Sequence, residues 1–337
     1  MERLAVEKVD QAGDFDSGPP FVFGFGFKDG AAHEMRWEEA VAESSHYDWI
    51  WLHLNFNNEE ARDWIMAHSD IPPVAANALV AGETRPRIIA TDDGFVINLR
   101  GVNLNEGAEP EDMVSVRLWA TEKLVVSSRR RRLRAAQDIR EELLAGLKIK
   151  SAAALVVHIA VQLTERMEPY VGELEDEIDD FEELILDGEG HGLRHKIAET
   201  RQSAVQFRRF IAPQRDALSR LSGDESGFFN AHARSELREI ADRVTRMIEE
   251  IDTGRERAMV LQDQLSDQRA EEMNRNMMIL SVVAAIFLPL GFLTGLLGIN
   301  VGGMPGADNP HAFWIVVGLC ASVGGALLLY FRSKDWL

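Results

Sequence analysis

The chain has 337 residues, with 36 Lys and Arg against 55 Asp and Glu, for a formal net charge of −19. This acidity argues against a nucleic-acid partner and suits a protein that draws cations toward itself, although solubility alone would also account for it. The single cysteine, Cys320, excludes a disulfide scaffold and Cys-based zinc sites.

In chain order, the start Met1-Glu2-Arg3-Leu4 has no basic segment followed by an apolar one, so no signal peptide is expected. Short runs rich in β-branched and aromatic residues predict strands at 21–27, 49–56, 95–102 and 113–127. Clusters such as Gly18-Pro19-Pro20 and Asp92-Asp93-Gly94 punctuate them. Helices are predicted at 37–44, 59–68 and 73–80. Residues 1–145 therefore read as an α/β domain. Phe23-Gly24-Phe25-Gly26-Phe27 is glycine-spaced but reads as strand rather than as a phosphate-binding loop. With no nucleophile beside a credible base and no metal-ligand triad, neither an enzyme nor a cofactor is expected.

Composition changes near Ser151. A helix is predicted from there to Leu186, with Pro169 a candidate kink. A second helix runs over 193–221. A third starts near Phe229, with Leu237, Ile240, Val244, Met247, Ile251, Gly254, Ala258, Leu261 and Leu265 stepping by three and four in a heptad-like seam. Gly254 weakens this helix without ending it. Residues 146–275 thus form a helical stalk whose last helix enters the next segment.

Residues 276–337 contain two uncharged stretches, 276–297 and 312–331, each long enough to cross about 30 Å of hydrocarbon. Arg269 and Arg275 precede the first, and Arg332 and Lys334 follow the second. The connection has no Lys or Arg, which predicts both termini in the cytoplasm. Trp314 and Trp336 stand near opposite ends of the second stretch, as interface aromatics do. The lipid bilayer is the expected partner of this part.

Two helices cannot enclose a wet path, so ion movement would require several copies. One face of the first span carries Asn274, Met277, Ser281, Ala284, Leu288, Gly291, Gly295 and Gly298, which are small or weakly polar with two larger apolar rings. Small residues let helices approach closely, around a pore axis or simply in packing. No acid, Lys, Arg or His lies inside either span. A divalent ion crossing there would meet carbonyls, amides and water, which suits an ion that keeps its hydration shell, as Mg²⁺ does. Asn300 follows the first span, either as a ring recognising hydrated cations or as part of a helix cap.

The ending, with Pro289, Gly298-Ile299-Asn300, a second span and the tail from Tyr330 to Leu337, resembles the CorA superfamily of divalent-cation transporters. That family's signature after the first span is Gly-Met-Asn; here Ile299 takes the middle place. Together with Val301-Gly302-Gly303-Met304-Pro305-Gly306, this variation resembles the ZntB zinc-transport branch. So do Glu83-Thr84-Arg85-Pro86-Arg87, Asn98 to Asn103, Glu111 to Ser115 and Arg129-Arg130-Arg131-Arg132-Leu133. The resemblance implies a funnel-shaped homopentamer in the cell (inner) membrane, with a cytoplasmic α/β/α domain and long stalk helices. It implies a pore lined by Asn274, Met277, Leu280 or Ser281, Ala284, Leu288, Gly291, Thr294, Gly298 and Asn300, with Zn²⁺ as cargo; zinc efflux and proton-coupled uptake have the same sequence appearance, and uptake is the direction expected. The uncharged pore face by itself favours Mg²⁺, and Co²⁺ or Ni²⁺ transport is the alternative within the superfamily. A membrane-tethered scaffold or sensor that uses the seam only to oligomerise is the alternative outside it.

Other signals are weaker. His191 and His195 are four apart, and His311 lies in the connection between spans; each is a candidate metal ligand. The acids from Glu173 to Glu183 read as a solvated helix face or as a cation-concentrating one. The run from Arg129 to Arg134 is expected to pair with acids within the domain or across a subunit boundary. Met273, Met277 and Met278 read as packing or as a hydrophobic constriction.

Overall fold

The computed structural model describes residues 18–42, 46–82, 84–190, 192–299, 306, 309–334 and 336. It divides into two compact units, Met1–Leu261 and Gln262–Leu337.

The first unit is built on a seven-stranded sheet. Its strands are β1 (Phe21–Lys28), β2 (Ala31–Met35), β3 (Trp49–Asn55), β4 (Arg87–Ala90), β5 (Phe95–Gly101), β6 (Val114–Ala120) and β7 (Leu124–Arg129), in spatial order β2-β1-β3-β7-β6-β5-β4. Only the β3–β7 pair is parallel; the remaining neighbours are antiparallel. The alternation in β1 explains its glycines. Phe23, Phe25 and Phe27 are buried against Trp49 and Trp51 on one face. On the other, a Cβ at Gly26 would come within 2.5 Å of the Tyr47 ring, so only glycine leaves room for that tyrosine.

Helices cover both faces. Ala40 of α1 (Trp37–Ala42), Ala61 and Ile65 of α2 (Glu59–Ala67) and Ala75 to Leu79 of α3 (Pro73–Leu79) share a core with Leu52, Leu54, Val96 and Trp119. The opposite core joins the phenylalanines of β1 to α4 (Arg134–Leu144), α5 (Ala152–Leu186), α6 (Leu193–Ser222) and the start of α7 (Ala231–Leu297). Asn58 caps α2 by accepting from Glu60 N–H, and Ser151 caps α5 by accepting from Ala154 N–H. Pro169 and Pro213 sit inside continuous helices.

Several sequence expectations are corrected. The stretch 113–127 is not one strand: Thr121 turns it into the β6–β7 hairpin, with its N–H donating to Leu124 O at 2.8 Å. The edge strands β2 and β4 are short and carry too few apolar residues to stand out, whereas α4 was missed although its buried Ala135, Ala136, Ile139 and Leu143 step at helical spacing. The predicted helix at 37–44 is described only to Ala42. The heptad-like seam is also reassigned. From Leu237 to Ile251 its members are buried in this unit's own core, so that part of the seam serves intrachain packing rather than assembly. Each such side chain contributes roughly 1.5–3 kcal/mol relative to exposure.

The second unit holds the C-terminal part of the 67-residue α7 and α8 (Ala312–Ser333). Both helices are long and apolar enough to cross a membrane. Within this unit, Val282 is buried, and Met278, Ile286, Pro289, Leu290 and Leu293 on the same side of α7 are half-buried. Leu290 Cδ1 lies 3.6 Å from where a Cβ at Gly324 of α8 would sit, so small residues at this contact let the two helices meet.

Candidate functional site: the exposed face of the first apolar helix

A helix turns 100° per residue, so the side of α7 opposite Val282 is the side that carries residues 277, 284, 288, 291 and 295. The structure leaves this face open. Asn274, Met277, Leu280, Ser281, Ala284, Leu288, Gly291, Thr294, Gly295, Gly298 and Ile299 are all exposed, with Met277 at 57%, Leu280 at 70% and Leu288 at 73%. By the same turn Phe287 lies on this side too, about 40° from its centre, while Asn274, Ser281 and Phe292 lie toward one edge; Phe287 and Phe292 are also exposed.

The hydroxyls on this face are already internally satisfied as donors. Ser281 Oγ donates to Met277 O at 2.8 Å, and Thr294 Oγ1 donates to Leu290 O at 2.9 Å. Each hydroxyl oxygen therefore turns only acceptor lone pairs outward. Such a surface can accept hydrogen bonds from water held around a cation, and it offers no nitrogen or thiolate to replace that water.

The end of α7 refines the reading of Gly298 as a cap. Its φ is not positive, so it is no left-handed cap residue. A Cβ there would lie 3.0 Å from Thr294 O, so a larger residue would need the preceding turn to give by a few tenths of an ångström. Ile299 is described and exposed; Asn300 lies outside the described residues.

The histidine candidates do not converge. His191 lies outside the described residues. His195 is exposed and sits 3.3 Å from Glu199 in an i,i+4 pair. His311 is exposed at the start of α8, its backbone N–H donating to Asn309 Oδ1 at 3.0 Å. Among the described residues, no three His, Cys, Asp or Glu side chains are grouped to hold a metal ion.

The acids of α5 find their cations on α7. Arg257 pairs with Asp179 and, at 2.7 Å, with Glu182; Arg243 pairs with Glu168 at 2.8 Å. The hydrogen bond from Arg257 holds the Glu182 carboxyl below its ordinary range, and the two carboxylates raise the Arg257 guanidinium. Glu250 moves the other way. Burial first, then the carboxylate of Glu175, lifts it above the usual carboxylate value. The basic run divides its work: Arg134 meets Asp138 at 3.2 Å, while Arg130 and Arg131 line a cavity.

With this geometry in place, comparison with known proteins is decisive for the family. Residues 47–333 match the family model described as CorA-like Mg²⁺ transporter protein. The chain belongs to the CorA-like family. It is 39% identical over 293 residues to the divalent cation transporter CmaX of Pseudomonas aeruginosa, covering 86% of this chain and 87% of that relative. It is 34% identical over 287 residues to the zinc transport protein ZntB of Pectobacterium carotovorum subsp. carotovorum, covering 85% and 88%. Its fold superposes on the structure of the full-length CmaX protein with a TM-score of 0.82 and 34% identity, covering 95% of this chain and all of that one. This CorA-like chain therefore combines a mixed helix-and-sheet domain with two C-terminal apolar helices.

Proposed function

We propose that this protein carries divalent cations across a membrane, with Zn²⁺ as principal cargo and uptake as the direction. The pore is lined by the exposed face of α7 from each of five copies in the cell (inner) membrane, with both termini in the cytoplasm. Asn274, Met277, Leu280, Ser281, Ala284, Leu288, Gly291, Thr294 and Gly295 line it, and Gly298-Ile299-Asn300 forms the outer mouth. The organisation is then three-part: a cytoplasmic α/β domain to about residue 145, a stalk to about 275, and the two-span segment beyond.

The observation that carries this reading is the open face of α7. The side turned from α8 is uncharged and exposed in the single chain, and it combines small residues with the larger Leu280, Phe287 and Leu288. Family membership supports divalent-cation transport, and the relative named as a zinc transport protein supports Zn²⁺ as the cargo. A second reading, Mg²⁺ with Co²⁺ and Ni²⁺, is favoured by one specific feature: the face offers hydroxyl acceptors and no nitrogen or sulfur ligand except the Met277 thioether.

Flux into proteoliposomes across Zn²⁺, Mg²⁺, Co²⁺ and Ni²⁺, with and without a pH gradient, separates the two readings. The expected result is Zn²⁺ entry that falls sharply in Asn300→Ala. Equal flux in both proteins removes Asn300 from the mouth. A dimeric mass in detergent removes the pore, because two copies of α7 cannot surround water.

A further inference from the structure

In a chain of net charge −19, the first unit holds a cavity of about 550 Å³ whose charged lining is almost entirely cationic. It lies among the 82–85 loop, the start of β6, the residues after β7 and α6. Arg85, Arg100, Arg117, Arg130, Arg131 and Arg209 line it, and Asp112 is the acid among its described lining residues. Glu83, between the lining residues Gly82 and Thr84, lies outside the described residues.

Arg117 is the telling member. It leaves β6 in register with Asn98 and Ser128 and is only 1% exposed. Its Nη2 donates to Gly82 O at 2.9 Å, and its guanidinium lies 4.6 Å over the Phe56 ring. Its Nε and Nη1 have no hydrogen-bond partner among the described residues. Burial, then repulsion from Arg100 and Arg130, brings its pKa down to about 10. A buried charge whose donors lack acceptors is costly and is retained where something else supplies the counter-charge. The neighbouring cations are pre-oriented. Arg100 donates to the carbonyls of Thr84 and Met113 and stacks 4.2 Å from the Phe210 ring, which Arg209 approaches at 5.4 Å.

We propose that this cavity binds a soluble anion carrying two or more phosphate groups, with Arg117 as its buried cation and Arg131 and Arg209 at its rim. Planar guanidinium forks match phosphate oxygens two at a time. Three of them, Arg117, Arg131 and Arg209, reach one space from separate elements, an arrangement that suits an anion with oxygens on more than one phosphorus. The volume falls within the range of small-molecule sites. This site is separate from the proposed ion path and stands whichever cation is carried.

The test uses the full-length protein in detergent with divalent ions chelated, titrated calorimetrically with pyrophosphate, ATP, orthophosphate, sulfate and chloride. Pyrophosphate is expected to bind saturably, to raise the melting temperature, and to bind at least about tenfold tighter than sulfate. Arg131→Ala and Arg209→Ala are each expected to weaken it by about tenfold while melting normally without ligand. Arg117→Met is expected to abolish it, and the rim variants carry the test if that protein does not fold. ATP binding tighter than pyrophosphate places a nucleotide in the site; equal binding places the phosphate chain alone there. No heat or thermal shift with pyrophosphate, equal potency of sulfate or chloride, or unaltered affinity in both rim variants overturns the proposal. So does a change of oligomeric mass without saturable binding, which would assign the arginines to acids of a neighbouring copy.

Discussion

Gln214 of α6 makes both amide hydrogen bonds with the backbone of Arg100: its Oε1 accepts from Arg100 N–H at 2.6 Å, and its Nε2 donates to Arg100 O at 3.1 Å. β4 pairs with β5 only from Phe95 to Asn98, so the ladder ends before Arg100 on that side. The buried side-chain amide continues it and fixes α6 to the sheet beside the arginine-lined cavity. Gln214→Met keeps the length and removes both bonds. Each orphaned buried backbone group costs about 1–3 kcal/mol, so the variant is expected to lose at least about 2 kcal/mol. The urea midpoint of the first unit in the full-length protein measures it; an unchanged midpoint would show that water replaces the amide without cost.

His53 gives the first unit a pH dependence of definite sign. It is fully buried, with Nδ1 2.7 Å from Ser127 Oγ, an oxygen that also receives Trp51 Nε1–H at 2.8 Å. Burial first, then Arg129, holds its pKa well below 6.5. The unfolded chain takes up this proton near pH 6.5 and the folded chain does not. Stability is therefore complete above about pH 6.5 and falls below it, by at most about 1.4 kcal/mol per pH unit. Urea midpoints between pH 8 and pH 5 are expected to decline in the wild type and to decline less steeply in His53→Phe. Parallel profiles would contradict the neutral buried imidazole.

The Arg257 pairs act at the opposite end of the pH scale and are weaker. Glu182 has a lowered folded pKa, so its contribution is present above its unfolded value and is lost as acid carries the pH through the lowered one. These side chains are substantially exposed, which limits the pair to below about 1 kcal/mol after solvent screening. Arg257→Gln is expected to be slightly less stable at neutral pH and low salt. The difference should shrink as acid protonates Glu182 and in about 1 M salt. A difference that survives both would point to lost packing of the Arg257 stem instead.

The sequence carried unequal amounts of information about the two units. The strands β1, β3 and β5 announced themselves as short runs of β-branched and aromatic residues bounded by turn clusters, and helices α2, α3, α5 and α6 as stretches without a strong break. The face of α7 was equally legible, since small residues at steps of three and four need only helix geometry to share a side. Arg117, Gln214 and Arg257 were not legible. Arg117 sits in a strand whose residues are buried throughout, Val114 to Ala120, so no alternation marked it. Gln214 meets Arg100 across 114 positions of sequence, and Arg257 meets Glu182 across 75. Pairings of that separation depend on topology, which local pattern does not encode.

Gly254 shows how a residue read from propensity changes meaning in the fold. In the sequence it is a weak point in a long helix; in the structure a Cβ there would lie 3.0 Å from Ile178 Cδ1 of α5. Two opposed effects follow. Alanine gains up to about 1 kcal/mol of helix propensity, and the contact requires the end of Ile178 to shift by a few tenths of an ångström. Gly254→Ala is therefore expected to be nearly neutral, while Gly254→Leu overpacks the contact and costs about 1–3 kcal/mol. Ile178→Val removes the methyl in question. In that background Gly254→Ala is expected to stabilise, by up to about 1 kcal/mol. The coupling between the two changes, measured from four denaturation midpoints, separates close packing from propensity. Strict additivity would mean that the Ile178 methyl does not constrain position 254 and that helix propensity alone decides the substitution.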